Sequence, residues 1–295
     1  MLLNSLIHSK RAAAFKRLEL IARSVVEGLK TGLHKSPYKG FAVEFQQHRP
    51  YVVGDDLKHL DWKVLAKDDR YYIKEFEEDT CLRAYLIVDA SGSMGYRSKD
   101  LSKFELARQV GAVLSYLMLQ QQDSVGMITF DSKIREHITP RSTNNHMKHL
   151  IDTLAATKTR GETDLGSVLQ TVAQKVGRRS LIIILSDLFG DLESIEKALR
   201  HFAHKKHEVV VFQTLDPYEK DFPFTNLTRF ESMEEDHAEL VDPLRLKKAY
   251  LEKFHQHQTQ LKKACHSLKI DYEVLLSHEP IEKKLAEYLV RRMRR

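Results

Sequence analysis

Three short clusters in the chain are made of residues that could hold a divalent cation: Asp89-Ala90-Ser91-Gly92-Ser93, Gly161-Glu162-Thr163-Asp164-Leu165 and Ser186-Asp187-Leu188. Asp89, Ser91, Ser93, Thr163 and Asp187 supply hard oxygen donors, with no His or Cys beside them. Such a set suits Mg²⁺ or Mn²⁺ and argues against zinc, which favours nitrogen and sulfur. Each cluster also has an ordinary explanation. The first could be a turn closed by an Asx cap, Asp187 could cap the loop that follows it, and Thr163 could be a helix N-cap with Asp164 complementing the dipole. Chemistry gains weight because all three fall at corresponding places in a repeating pattern of elements.

That pattern begins after Cys81, where apolar strand candidates alternate with helical stretches. Residues 82–88 form the first strand, and Phe104, Ala107, Gly111, Leu114 and Met118 share one face of a helix over about 103–122. Strands at 125–130 and 134–138 follow, the second an edge strand, then helices at 145–156 and 165–176. Ser180–Leu185 is a run of consecutive aliphatics, the signature of a strand buried on both faces of a parallel sheet. A helix at 192–203 and a strand at 208–214 continue the alternation. The fold class is therefore α/β, with a doubly wound, mostly parallel sheet and right-handed crossovers. In such sheets ligands gather at the carboxyl ends of strands, where Asp89 and Asp187 lie. An excursion near 220–242 reads as a short hairpin (226–231 and 238–241), followed by a helix over 243–268, a strand over 270–276 and a last helix opened by Pro280.

Residues 1–80 differ in character. Phe15, Leu18, Ala22, Val25 and Leu29 line one side of a helix, and from Lys35 to Thr80 short extended pieces alternate with turns such as Gly54-Asp55-Asp56. The division is thus 1–80, a basic helix and a small β-containing module, and 81–295, the sheet domain. The alternating segment Tyr72–Phe76 needs a sheet partner, and the excursion offers spare strand edges. The net charge of +6 is concentrated here, because residues 1–40 contain eight Lys or Arg and only two acids. A solvated helix face accounts for that; a nucleic-acid or anionic-surface contact is the alternative, although base-stacking aromatics are not interleaved. The longest aliphatic run, Leu181–Leu185, falls far short of the roughly 20 residues that span a bilayer. Polar residues also interrupt the N-terminus before a signal-peptide core, so the expected location is cytoplasmic. The two cysteines, Cys81 and Cys265, cannot build a disulfide framework.

The order Asp-x-Ser-x-Ser, Thr, Asp resembles the metal-ion-dependent adhesion site of von Willebrand factor A domains. The resemblance implies that Ser91 and Ser93 ligate one divalent ion directly, that Thr163 does so in at least one state, and that Asp89 and Asp187 act largely through water. An open coordination position would then favour a carboxylate supplied by a partner. A narrower resemblance runs through Gly32–Ser36, Glu44-Phe45, Arg49-Pro50-Tyr51, Gly54-Asp55-Asp56, Asp61-Trp62-Lys63 and Tyr72–Phe76. These segments resemble the bacterial MoxR-associated family, the domain of unknown function numbered fifty-eight. It implies a MoxR-type AAA+ ATPase as partner, in assembly or maturation of other proteins. Trp62 is suited to anchoring a small module; alternatively Arg49, Asp55, Asp56, Asp61, Trp62 and Lys63 could form a surface that a partner reads.

Catalytic readings fare less well. Ser91 and Ser93 lack a Gly-x-Ser-x-Gly elbow, and Gly161-x₄-Gly166 lacks the Lys of a phosphate-binding loop. A Mg²⁺-dependent phosphohydrolase with Asp89 as nucleophile is the remaining rival, weakened by Ser91 where that motif has its second acid. His201, His204 and His207 have helical spacing but read as a solvated helix face. The expectation is a non-catalytic, metal-dependent interaction protein.

Overall fold

The structure is a computed structural model and describes residues 45–50, 71–76, 82–177, 179–233 and 238–293. Strands β1 (Phe45–Pro50) and β2 (Tyr72–Phe76) pair antiparallel with each other, Pro50 opposite Tyr72. The partner of Tyr72–Phe76 is therefore β1 and not the excursion, which corrects the expectation from sequence. The helix expected at 12–30, the turn Gly54-Asp55-Asp56, and Asp61, Trp62, Lys63 and Cys81 lie outside the described residues.

The sheet domain opens with β3 (Arg83–Asp89), a 3₁₀ turn at Ser93–Gly95 and α1 (Lys103–Gln120). Next come β4 (Ser124–Phe130), β5 (Ile134–Arg141), α2 (Asn144–Ala156), α3 (Leu165–Lys175), β6 (Leu181–Ser186), α4 (Leu192–His204) and β7 (Glu208–Leu215). After α5 (Pro217–Asp221) and the hairpin β8 (Thr228–Glu231) and β9 (Ala238–Val241), the chain ends in α6 (Pro243–Ser267), β10 (Asp271–Leu276) and α7 (Ile281–Met293). Six strands join in the order β10-β7-β6-β3-β4-β5, all parallel except the edge strand β5. This is the doubly wound, mostly parallel sheet expected from the resemblance to von Willebrand factor A domains.

Alternation along the central strands sorts side chains to two cores. Ala84, Leu86, Val88, Leu181, Ile183 and Leu185 pack beneath α1, α2 and α7. Tyr85, Ile87, Ile182 and Ile184 pack beneath α3, α4 and α6. Coverage on both faces is why these strands are aliphatic at consecutive positions. The chain winds outward from β3 to β5, then recrosses to β6 on the other flank of β3 and continues to β7 and β10. The reversal falls between β3 and β6, the crevice where open sheets of this kind bind ligands.

Helix α5 is absent from the sequence reading. It is nucleated by Pro217 and a capping box in which Asp216 accepts from Tyr218 N at 2.8 Å and Glu219 accepts from Asp216 N at 2.9 Å. The excursion is anchored by aromatic packing of Phe222 on Tyr250, Phe224 and Phe230. Cys265 is buried and unpaired by any disulfide. Among the described residues no helix is long and apolar enough to cross a membrane.

Helices α3 and α4 meet where Gly166 faces Ser194. A β-carbon at Gly166 would lie 2.9 Å from the Ser194 carbonyl carbon, which belongs to helix backbone and cannot yield alone. Gly166→Ala should therefore destabilise by about 1–3 kcal/mol through overpacking, exceeding the roughly 1 kcal/mol of helix propensity that Ala regains. Urea unfolding checks this, and an unchanged or raised midpoint would contradict the close approach.

Candidate functional site

Asp89 is the last residue of β3, and Asp187 follows the last residue of β6. Because these strands are neighbours, both carboxylates emerge side by side at the carboxyl edge of the sheet. Both are shut off from water, each 2% exposed. The turn after β3 is held by the aspartate itself, as Asp89 Oδ1 accepts from Ser91 N at 2.9 Å. That bond brings Ser91 back toward the strand end, where its hydroxyl lies 3.1 Å from the hydroxyl of Ser93. Ser186 Oγ donates to Asp89 Oδ2 at 2.6 Å and accepts from Leu188 N at 3.0 Å, linking the two strand ends.

The loop bearing Thr163 is stitched to the first turn. Gly92 N donates to Gly161 O at 2.9 Å, and Arg160 N donates to Ala90 O at 3.1 Å. Gly161 has φ of 75°, a left-handed conformation natural to glycine. From below, Arg135 holds the loop by donating to the carbonyl oxygens of Lys158 and Arg160, and is itself fixed by Asp131 at 2.6 Å. Burial raises the Asp131 carboxyl, but Arg135 outweighs it and holds the group below the usual carboxylate range. Thr163 does not cap α3. That place is taken by Asp164, which accepts from Ser167 N at 3.2 Å. The Thr163 Oγ1 is shielded from solvent and has no hydrogen-bond partner.

Asp187 sits in a constrained turn. Leu188, fully buried, has φ of 55°, a conformation that costs a branched residue of order 1–3 kcal/mol. It is held by the Ser186 hydroxyl on its amide and by His257 Nε2, which donates to its carbonyl at 2.9 Å. Asp187 Oδ1 accepts from Phe189 N at 3.2 Å, and Gln213 Nε2 donates to its main-chain oxygen at 2.7 Å. The ordinary Asx-turn role of Asp89 and Asp187 is thus real, and coexists with their convergence.

One residue the sequence did not single out reaches the centre. Lys103, in the first turn of α1 and wholly buried, donates to Asp187 Oδ2 at 2.7 Å and to Glu219 Oε1 at 2.6 Å. Burial works against its charge, yet Asp187 and Glu219 outweigh it and hold the ammonium above the ordinary lysine value. A lysine in the first turn of a helix opposes the macrodipole, the one local sign that it serves something other than the helix.

The five named residues thus stand on three loops gathered at one sheet edge. The available oxygens are the Ser91, Ser93 and Thr163 hydroxyls and the Asp89 and Asp187 carboxylates. The Thr163 hydroxyl, buried with nothing to bond, fits a cation ligand. Of the residues proposed for partner contact, Arg49 lies in β1 and the others lie outside the described residues. His207 has left the helix that carries His201 and His204, and its Nδ1 accepts from Ser180 N at 3.2 Å. Among the described residues no group of three His, Cys, Asp or Glu is placed to hold a metal. A cation here must use hydroxyls.

Burial, and next the charge of Asp187, push the Asp89 carboxyl up to about 7, against the pull of Ser186 and Ser91. A carboxyl raised above its unfolded value of about 3.9 contributes stability that is complete below that value and lost as pH rises through about 7. In EDTA, the melting temperature of Asp89→Asn relative to wild type should therefore climb between pH 5 and pH 8. A difference that stays constant would place Asp89 in water.

Residues 47–261 match the model of a family described as protein of unknown function DUF58. An uncharacterized protein of Mycobacterium tuberculosis, Rv1480, is 26% identical over 228 residues, covering 76% of this chain and 71% of its own. A Mycobacterium bovis protein, Mb1516, matches to the same extent. Among solved structures, the conserved hypothetical protein BatB of Bacteroides thetaiotaomicron superposes with a TM-score of 0.45 at 15% identity, over 71% of this chain and 98% of that one. The SpRpn10 VWA domain gives 0.41 at 12% identity, over 71% and 95%. The family match runs from β1 into α6 and takes in Asp89, Ser91, Ser93, Thr163 and Asp187, and over that span, most of its length, the chain belongs to the DUF58 family.

Proposed function

We propose that this chain is a non-catalytic interaction protein that holds one Mg²⁺ or Mn²⁺ at the carboxyl edge of its sheet and uses it to receive a carboxylate from a partner. The observation that carries the reading is the Thr163 hydroxyl, buried without a partner on a loop that is bonded to the Asp89–Ser93 turn. Ser91, Ser93 and Thr163 would supply neutral ligands, with Asp89 and Asp187 charged behind them. The ion supplies electrophilicity. With few direct anionic ligands it would retain enough to attract an acidic side chain. The resemblance to the MoxR-associated family makes a MoxR-type AAA+ ATPase the proposed source of that acid.

The phosphohydrolase reading asks Asp89 to attack as a nucleophile. Its two oxygens instead accept from Ser91 N and Ser186 Oγ, and Ser91 stands where that motif has its second acid. Binding of nucleic acid through the basic N-terminus would show as a steep salt dependence.

Thr163→Val tests the proposal because it replaces the hydroxyl with a methyl of similar size. If that oxygen waits for a metal, the variant in EDTA should melt at or above the wild-type temperature, since a buried polar atom without a bond is costly to keep. The same variant should bind Mn²⁺ at least tenfold more weakly in calorimetry, and should lose the Mg²⁺-dependent part of its affinity for a MoxR-type ATPase. Binding to the ATPase that is equal in Mg²⁺ and in EDTA would sink the metal-centred contact.

A further inference from the structure

Lys103 is among the largest fully buried side chains of the described residues, and it is charged. Its ammonium lies between Asp187, 2.7 Å away at the cation site, and Glu219 of α5, 2.6 Å away on the far side. Phe189 closes over it with the ring centre at 5.3 Å. Its backbone is fixed as well, because α1 starts at a complete capping box between Ser102 and Glu105. A lysine so enclosed cannot swing into solvent without opening the contact to Glu219.

Glu219 is in turn wired to the excursion. Its carboxylate accepts from Asp216 N at 2.9 Å, and its carbonyl accepts from Tyr250 OH at 2.8 Å. Tyr250 packs against Phe222 with ring centres 4.6 Å apart, and the Phe222 ring cluster anchors the β8–β9 hairpin. The hairpin's approach returns to the site itself, since Met233 Cε would lie 3.4 Å from a β-carbon at Gly95, at the end of the Ser93–Gly95 turn.

We propose that Lys103 is a built-in cation which sets the affinity of the site for its divalent ion and couples occupancy to α5 and the hairpin behind it. The inference rests on the metal reading given above. An ammonium already bonded to Asp187 competes with any ion that draws on the same carboxylate, and repels it. Such coupling is reciprocal by thermodynamic necessity, so whatever Lys103 costs the ion, the ion costs the Lys103 contact. A site built this way binds its metal more weakly than the same donors would alone, and the loss is felt at Glu219. Metal arrival is then converted into a loosening of the segment that carries the hairpin.

The test is Mn²⁺ affinity by electron paramagnetic resonance on the full chain, for wild type, Lys103→Met, Lys103→Arg and the double variant Lys103→Met with Glu219→Gln. The double variant leaves no buried carboxylate abandoned on α5, and so guards against a fold lost through Glu219. Lys103→Met and the double variant should bind Mn²⁺ at least tenfold more tightly than wild type, within the roughly 5–150-fold range of such couplings. Lys103→Arg, which keeps the charge, should stay near wild type. Binding by the Met variants with none detected in wild type would also support the proposal. Equal or weaker binding in the Met variants would overturn it while leaving the metal reading intact, whereas no binding in any form would overturn both. Amide exchange over 218–222 should accelerate when Mn²⁺ is added to wild type and not to Lys103→Met, and unchanged exchange would remove the link to α5.

Discussion

Two carboxylates brought together out of water set the terms for everything around them. Asp89 and Asp187 stand at the ends of adjacent parallel strands, each almost wholly buried, and like charges in that position must be compensated. The surroundings do this in three ways. Ser186 and the Ser91 amide stabilise the Asp89 oxygens by hydrogen bonds, the Asp89 carboxyl rises to about 7, and Lys103 is drawn in against Asp187. The strained turn at Leu188 and the loop carrying Thr163 make sense as the structure needed to keep that arrangement in place.

The sheet was legible from the chain because its strands announce burial on both faces. Leu181–Leu185 has no polar break, and its alternate residues do serve the two cores. The carboxyl edge could be found by the same logic, since Asp89 and Asp187 each end an apolar run. What could not be read was the long-range part. Lys103 looks like an ordinary residue after an N-cap, and its partners lie 84 and 116 residues away. Ser186 stands beside Asp187 in the chain with nothing local to mark its partner, and only the register of β3 against β6 brings it to Asp89. Glu219 gives no sign of itself in the sequence because its capping box opens a helix of five residues, shorter than periodicity can detect.

Thr163 shows how a residue's local alternative is decided by its neighbour. An N-cap was a sound reading for a Thr before a helix, but Asp164 does that work, one position later. The hydroxyl left over is then buried without a hydrogen-bond partner. Fold alone would not assign function here, since doubly wound sheets host many chemistries; the donors and their burial distinguish this edge.

The central claim is that these hydroxyls and carboxylates form a cation site, and anomalous diffraction from crystals soaked in Mn²⁺ tests it most directly. The account predicts one strong peak about 2.0–2.3 Å from the Ser91 and Ser93 hydroxyls, with Asp89 and Asp187 near enough to contact it through water. Soaked crystals that diffract well and show no peak at the ends of β3 and β6, or show manganese only elsewhere, would contradict it.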